Sequence, residues 1–126
     1  MFSPNEHEAE ILTGIYPADE ASCRLAASAL QKLVKAKYFV IKLGARGAYV
    51  TDGEREFFSP SFKTEAKDTT AAGDSFTAAL TLEYLKTGDI EAAVRYANAV
   101  GAIVVSREGA IPSIPTFSEV EDFIRV

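Results

Sequence analysis

The stretch KDTTAAGDSF, Lys67 to Phe76, sets two threonines, two alanines and a glycine between Asp68 and Asp74. Apolar residues follow as far as about Lys86, so the stretch leads into a helix expected to begin at Asp74. The first N–H groups of a helix have no internal partners, and the helix dipole makes that end positive. The small side chains of Ala71, Ala72 and Gly73 would let a phosphate reach those bare amides. Asp74, just inside such a cradle, would accept the proton of an attacking hydroxyl, a step worth on the order of 10² to 10⁴ in rate. A plainer reading uses the same residues: Thr70 caps the helix and Asp74 is an acid in its first turn, stabilising it by roughly 0.3–1 kcal/mol. The helix behind the stretch carries Phe76, Ala78, Ala79, Leu80, Leu82 and Leu85 and is apolar nearly all round. Such a helix is expected to be buried on every face, which would hold its start rigid and favours the cradle.

Upstream, Asp52-Gly53 between Ala48–Thr51 and Arg55–Phe58 predicts a hairpin, because both turn positions tolerate positive φ. Pro60 should end its second strand. Tyr38-Phe39-Val40-Ile41 is a short apolar run, as in a strand buried on both faces of a parallel sheet. A helix over about Glu20–Lys35 would bury Cys23, Ala26, Ala27, Leu30 and Val34. A first helix is expected to start at Ser3-Pro4-Asn5-Glu6, with Ser3 as cap and Glu6 completing a capping box, and to stop at Gly14. Downstream of Gly88, the residues Ile90, Ala93, Val94, Ala97, Gly101 and Val104 form the inner stripe of a long helix. The loop SREGAIPSIP and a short helix from about Phe117 to Ile124 close the chain. This order is α/β, with few strands for a self-contained doubly wound sheet.

The 126 residues suit one compact domain, 1–126, with room for a real core. Thirteen basic against eighteen acidic residues give a net charge of −5, which argues against a nucleic-acid-binding face. Cys23 and His7 are the only residues of their types, so an intramolecular disulfide and Cys- or His-clustered metal sites are excluded. The N-terminus lacks a signal pattern and no apolar run spans a bilayer, so a cytoplasmic protein without membrane partners is expected.

Lys42-Leu43-Gly44-Ala45-Arg46-Gly47 follows a strand, but its glycines fit neither a P-loop nor a dinucleotide fingerprint, and by itself it reads as a turn. Asn5 and Glu8 share a helix face; they would hold a hydrated Mg²⁺ through water or simply belong to a solvated helix start. Asn98 contacts a ligand or marks the edge of the apolar stripe.

Taken in order, these segments resemble the C-terminal half of the ribokinase or PfkB family of carbohydrate kinases. Residues 3–10, SPNEHEAE, resemble its P-N-x-x-E segment, and Lys42 to Gly47 its L-G-x-x-G turn. Asp68 to Asp74, DTTAAGD, resembles its D-T-x-[GA]-A-G-D signature, with Ala71 where many members have glycine. Residues 106–113, SREGAIPS, resemble the loop after its penultimate long helix. The resemblance implies the C-terminal portion of a three-layer α/β/α ribokinase-like fold with an incomplete central sheet. It makes Asp74 the catalytic base and the amides of Ala71, Ala72 and Gly73 the hole for the γ-phosphoryl group. It gives Mg²⁺ and phosphate to Asn5 and Glu8, the border of ATP to Lys42, Gly44 and Gly47, and the neighbourhood of adenine to Asn98. Asp68 and Thr70, with the carbonyls of Val104, Arg107 and Gly109 and the side of Ser113, would surround a monovalent cation, commonly K⁺.

The implied activity is ATP-dependent phosphorylation of a sugar hydroxyl. The segment that supplies the family's sugar pocket and lid has no counterpart here, and positioning is worth roughly 7–11 kcal/mol of barrier, so this chain alone is expected to be weakly active or inactive. Two alternatives stand beside this reading. One is a non-catalytic nucleotide-binding module, or one that self-associates through an exposed sheet edge. The other is a nucleoside or vitamin-precursor kinase of the same family.

Overall fold

The computed structural model describes residues 1–62, 72–105 and 115–125, with backbone alone at 72–74, 105 and 125. The described chain forms two compact units, Met1–Ser59 and Pro60–Val126.

In the first unit, β1 (Phe39–Lys42), β2 (Ala48–Thr51) and β3 (Glu56–Ser59) form an antiparallel sheet in the order β1-β2-β3. Phe39 pairs with Thr51, and Thr51 with Glu56. The other edge of β1 takes an extended N-terminal segment in parallel, with bridges Phe2↔Phe39 and Asn5↔Lys42. The Val40 amide donates to the Phe2 carbonyl, and the Lys42 amide to the Pro4 carbonyl, each at 2.9 Å. The expected parallel neighbour of β1 is therefore this segment, while its other neighbour is antiparallel. Phe39, Val40 and Ile41 are buried, as a strand covered on both faces requires.

The helix α1 (Glu6–Thr13) starts two residues later than its sequence suggested. The Pro4 carbonyl accepts the Lys42 amide in the sheet, which keeps this segment extended, so the helix does not begin behind Ser3. Asn5 is the N-cap instead, in a capping box with Glu8, and Gly14 closes the helix with φ 76°. The helix α2 (Glu20–Leu33) is capped by Asp19 and buries Cys23, Ala26, Ala27 and Leu30, as its period predicted, but it ends before Lys35, with Val34 an extended, partly buried C-cap. These residues join Phe39, Ile41 and Tyr49 in one core. Complete burial of Leu30 contributes roughly 1.5–3 kcal/mol.

The hairpin forms with a longer turn than expected. Residues 52–55 connect β2 to β3, and only Gly53 has positive φ, 98°. Asp52 instead folds the loop with its side chain: Oδ1 accepts the amides of Glu54 at 2.9 Å and Arg55 at 2.8 Å. β3 accordingly begins one residue later and ends just before Pro60.

In the second unit, α3 (Ala72–Thr87) packs along α4 (Ile90–Val105), and α5 (Phe117–Arg125) lies on α4. Phe76 and Leu80 of α3 are buried, but Leu82 is 68% and Leu85 76% exposed. The expectation that this helix is covered on every face is therefore corrected: composition shows that a helix is apolar, not which faces meet a partner. The inner core gathers Ala99, Val100, Ile103, Val104 and Val120, flanked by Phe62, Tyr96 and Phe123. Thr116 caps α5 in a box with Glu119.

Candidate functional site

Five of the residues singled out by sequence gather at one end of the first unit. The parallel segment and β1 run in the same direction and finish together, with Asn5 opposite Lys42. The carboxyl ends of parallel strands are where α/β sheets commonly receive ligands. From there one strand turns into α1 and the other into the loop Leu43–Gly47, so Asn5, Glu8, Lys42, Gly44 and Gly47 border a common edge.

The loop is a closed 3-10 turn at Gly44–Arg46. The Leu43 amide donates to the Gly47 carbonyl at 2.8 Å, and the Gly47 amide to the Gly44 carbonyl at 3.0 Å. Gly44 has φ 60°, and Gly47 has φ 100° with ψ −130°, a conformation that side chains resist. Glycines are therefore required here by the backbone itself.

Asn5 Oδ1 accepts the Glu8 amide at 2.7 Å, and Glu8 Oε1 accepts the Asn5 amide at 2.9 Å. Both residues are exposed. The solvated-helix-start reading thus describes their mutual bonds, and the site at this point is acidic, since Glu6 and Glu8 both lie in the first turn of α1. Acids there satisfy the helix end and leave it suited to a cation rather than to a bare phosphate. Among the described residues no group of three His, Cys, Asp or Glu side chains could enclose a metal. One exposed carboxylate beside an amide fits Mg²⁺, which keeps several of its own waters. A groove of about 520 Å³ lies beside Glu8, lined otherwise by Met1, Phe2, Ser3, Pro4, Ile11 and Leu12.

Sequence reasoning passed over Arg46, between the two glycines. Its Nη2 donates to Glu6 Oε2 at 2.8 Å and to the Pro17 carbonyl at 3.0 Å, and its Nη1 donates to the Ala18 carbonyl. Tyr16 donates its hydroxyl to the same Glu6 oxygen at 2.9 Å. That bond to Glu6 raises the Tyr16 phenol above its ordinary range.

In the second unit α3 begins at Ala72, two residues earlier than expected. Ala72, Gly73 and Asp74 thus have helical backbone at the N-terminal end of the described α3. Asn98 is 4% exposed, and its Nδ2 donates to the Pro60 carbonyl at 3.5 Å. It lies inside the buried face of α4 rather than at the edge of an apolar stripe. Val104 is buried on the same helix. Asp68, Thr70, Ala71, Arg107, Gly109 and Ser113 lie outside the described residues. Among the described residues, no helix is long and apolar enough to cross a membrane.

Comparison with known proteins identifies the family and the fold. The model of the pfkB family of carbohydrate kinases matches residues 1–117. The chain is 39% identical over 124 residues to a ribokinase of Haemophilus influenzae, covering 98% of this chain and 40% of that protein. It is 40% identical over 122 residues to a ribokinase of Bacillus subtilis, covering 97% of this chain and 38% of that protein. A ribokinase of Arabidopsis thaliana, solved with ribose and ATP, superposes with a TM-score of 0.91 at 32% identity over 98% of this chain and 40% of that one. A putative ribokinase II of E. coli, solved with ATP and Mg²⁺, gives 0.82 at 30% identity, covering 98% of this chain and 38% of that one. An aminoimidazole riboside kinase of Salmonella enterica, solved with its riboside and an ATP analogue, gives 0.83 at 27% identity, covering 98% of this chain and 41% of that one. The chain spans about two fifths of the length of the curated relatives it matches. Its fold is the ribokinase-like α/β fold, and the chain belongs to the pfkB family of carbohydrate kinases.

Proposed function

We propose that this chain is the nucleotide-binding and phosphoryl-transfer part, the C-terminal half, of an ATP-dependent sugar kinase. The carrying observation is the gathering of Asn5, Glu8, Lys42, Gly44 and Gly47 where the parallel segment and β1 end. Helical backbone at Gly73 and Asp74, at the N-terminal end of the described α3, supports the transfer role. The ATP and Mg²⁺ seen with the relatives support the choice of ligand.

In this reading the turn Gly44–Gly47 and Lys42 border the nucleotide, and the family resemblance gives Asn98 a role toward its base. Asn5 and Glu8 hold Mg²⁺ through its waters; when bound, the ion neutralises charge on the phosphate oxygens. Asp74 takes the proton from the acceptor hydroxyl, whose oxygen then bonds to the γ-phosphorus as the bond to the ADP oxygen breaks. The amides of Ala71, Ala72 and Gly73 would stabilise the charge on the phosphoryl group in flight. Asp68 and Thr70, the carbonyls of Val104, Arg107 and Gly109, and Ser113 would hold a monovalent cation, which would supply positive charge near the anion hole. Ribose-type sugars are the favoured acceptors. The riboside kinase among the relatives supports nucleosides as the second class.

Calorimetric titration with ADP, with and without Mg²⁺, tests the nucleotide half, and absence of heat at high concentration would sink it. A screen of sugar and nucleoside acceptors with MgATP, with and without K⁺, tests the transfer half. In the full-length enzyme Asp74→Asn should lose about 10² to 10⁴ in turnover with ADP affinity unchanged. Normal turnover in that variant removes Asp74 as base.

A further inference from the structure

We propose that Arg46 is a positioning residue that clamps the Gly44–Gly47 turn onto the first turn of α1, setting the spacing between the segment that borders nucleotide and the segment that holds Mg²⁺. The ligand side of this inference rests on the function proposed above; the clamp rests on geometry.

The two segments are remote in sequence, and links of two kinds are seen between them. One is the sheet bridge between Asn5 and Lys42. It fixes the end of β1 but not the loop beyond it. The second is Arg46, whose guanidinium makes one bond to Glu6, one to Pro17 and one to Ala18. A guanidinium serves here because its fork offers several donors in fixed directions; an ammonium would act as a single point charge. Glu6 stands immediately after Asn5 and two residues before Glu8, so a force on its carboxylate acts on the first turn of α1. Its other oxygen faces the turn as well: a methyl group built on Gly44 would lie 3.7 Å from Glu6 Oε1. Tyr16 donates to the same Glu6 oxygen as Arg46, so the carboxylate is tied both to the loop at 16–18 and to the glycine turn. The pair is half-exposed, with side-chain exposures of 44% for Arg46 and 26% for Glu6. Such a pair adds little to global stability. Its consequence is local: a turn made of two glycines has the least intrinsic stiffness, and the clamp supplies it.

The test compares the unaltered protein with Arg46→Met, Glu6→Gln and the double variant. Amide hydrogen exchange at residues 43–47, read against the amides of β1 and β2, reports the clamp without any ligand. Titration with MgADP reports its consequence, and circular dichroism on heating checks that each variant is folded. We expect faster exchange confined to the turn in Arg46→Met. We expect MgADP binding weaker by roughly 10- to 100-fold, the range for groups that orient a metal site from behind. The double variant should be no worse than Arg46→Met alone, because both changes break one device. Unchanged exchange in the turn overturns the clamp, whatever happens to binding. A loosened turn with unchanged MgADP affinity overturns the positioning role. If the unaltered protein gives no MgADP heat while the turn still loosens in Arg46→Met, the clamp stands and the nucleotide reading falls.

Discussion

Asn5 and Glu8 satisfy each other's backbone amides, at 2.7 and 2.9 Å, while standing at the edge where β1 ends. One side-chain pair thus serves as the cap of α1 and as the proposed Mg²⁺ contact, and the two roles separate by substitution. Gln can replace Glu in a capping box, since its carbonyl oxygen also accepts the cap amide. Glu8→Gln should therefore leave the melting temperature nearly unchanged while weakening the Mg²⁺ dependence of ADP binding by roughly 10- to 100-fold. Asn5→Ala should cost about 1 kcal/mol in denaturant unfolding. Equal Mg²⁺ dependence in the protein and in Glu8→Gln would leave Glu8 as a cap alone.

Three glycines should respond differently to alanine. Gly47, at φ 100° and ψ −130°, occupies a region nearly closed to side chains, so Gly47→Ala should cost of order 1–3 kcal/mol and deform the turn. Gly44, at φ 60°, lies in the left-handed helical region and should cost about 1–2 kcal/mol. Gly101 lies within α4, and no described atom stands within 4 Å of a methyl group built there. Gly101→Ala should stabilise by roughly 0.5–1 kcal/mol, because alanine loses less backbone entropy in a helix. Urea melts of the three variants check the order.

The exposed face of α3 gives a third outcome. Leu82 and Leu85 lie 68% and 76% exposed, so Leu82→Gln and Leu85→Gln should change stability by no more than about 0.5 kcal/mol. Leu80→Ala, from a fully buried position on the same helix, should cost roughly 2–5 kcal/mol. A large loss in the Leu82 or Leu85 variants would mean that this face is covered in solution.

Local regularities were legible in the sequence where a period or a special backbone angle decided them. The stripe of α2, the stop at Gly14 and the strand end before Pro60 all follow from chemistry within one turn or one strand. The start of α1 was misread because Ser3-x-x-Glu6 and Asn5-x-x-Glu8 fit the same template. The choice fell to the Pro4 carbonyl, which pairs with the Lys42 amide far along the chain. Arg46 was invisible for the same reason: its partners Ala18 and Glu6 lie 28 and 40 residues away. The glycines around it announce a turn, and nothing local tells what the arginine holds. Ala72, Gly73 and Asp74 were legible as a helix start, two residues from where the structure begins it.

The polar network between α2 and the sheet predicts how stability follows pH. Arg24 Nε donates to Glu56 Oε1 at 3.0 Å, and the Tyr49 hydroxyl donates to Glu56 Oε2. The bond from Arg24, then that from Tyr49, holds the Glu56 carboxyl below the usual carboxylate range. A depressed carboxyl stabilises the fold above its unfolded pKa, about 4.3, and that contribution is lost as pH falls through the folded value. The Tyr49 phenol is shifted the other way, raised by burial first and by its bond to Glu56 second. Its contribution is complete below the unfolded value of about 10 and is lost as pH rises beyond it. The melting temperature should therefore fall on both sides of a plateau. Glu56→Gln should flatten the acid limb, where Asp19 and Asp52, also held low by backbone amides, maintain a residual slope. Tyr49→Phe should flatten the alkaline limb, since phenylalanine keeps the ring contact with Phe58 at 5.1 Å and has no proton to lose. An alkaline limb equally steep in Tyr49→Phe would assign the loss to other groups.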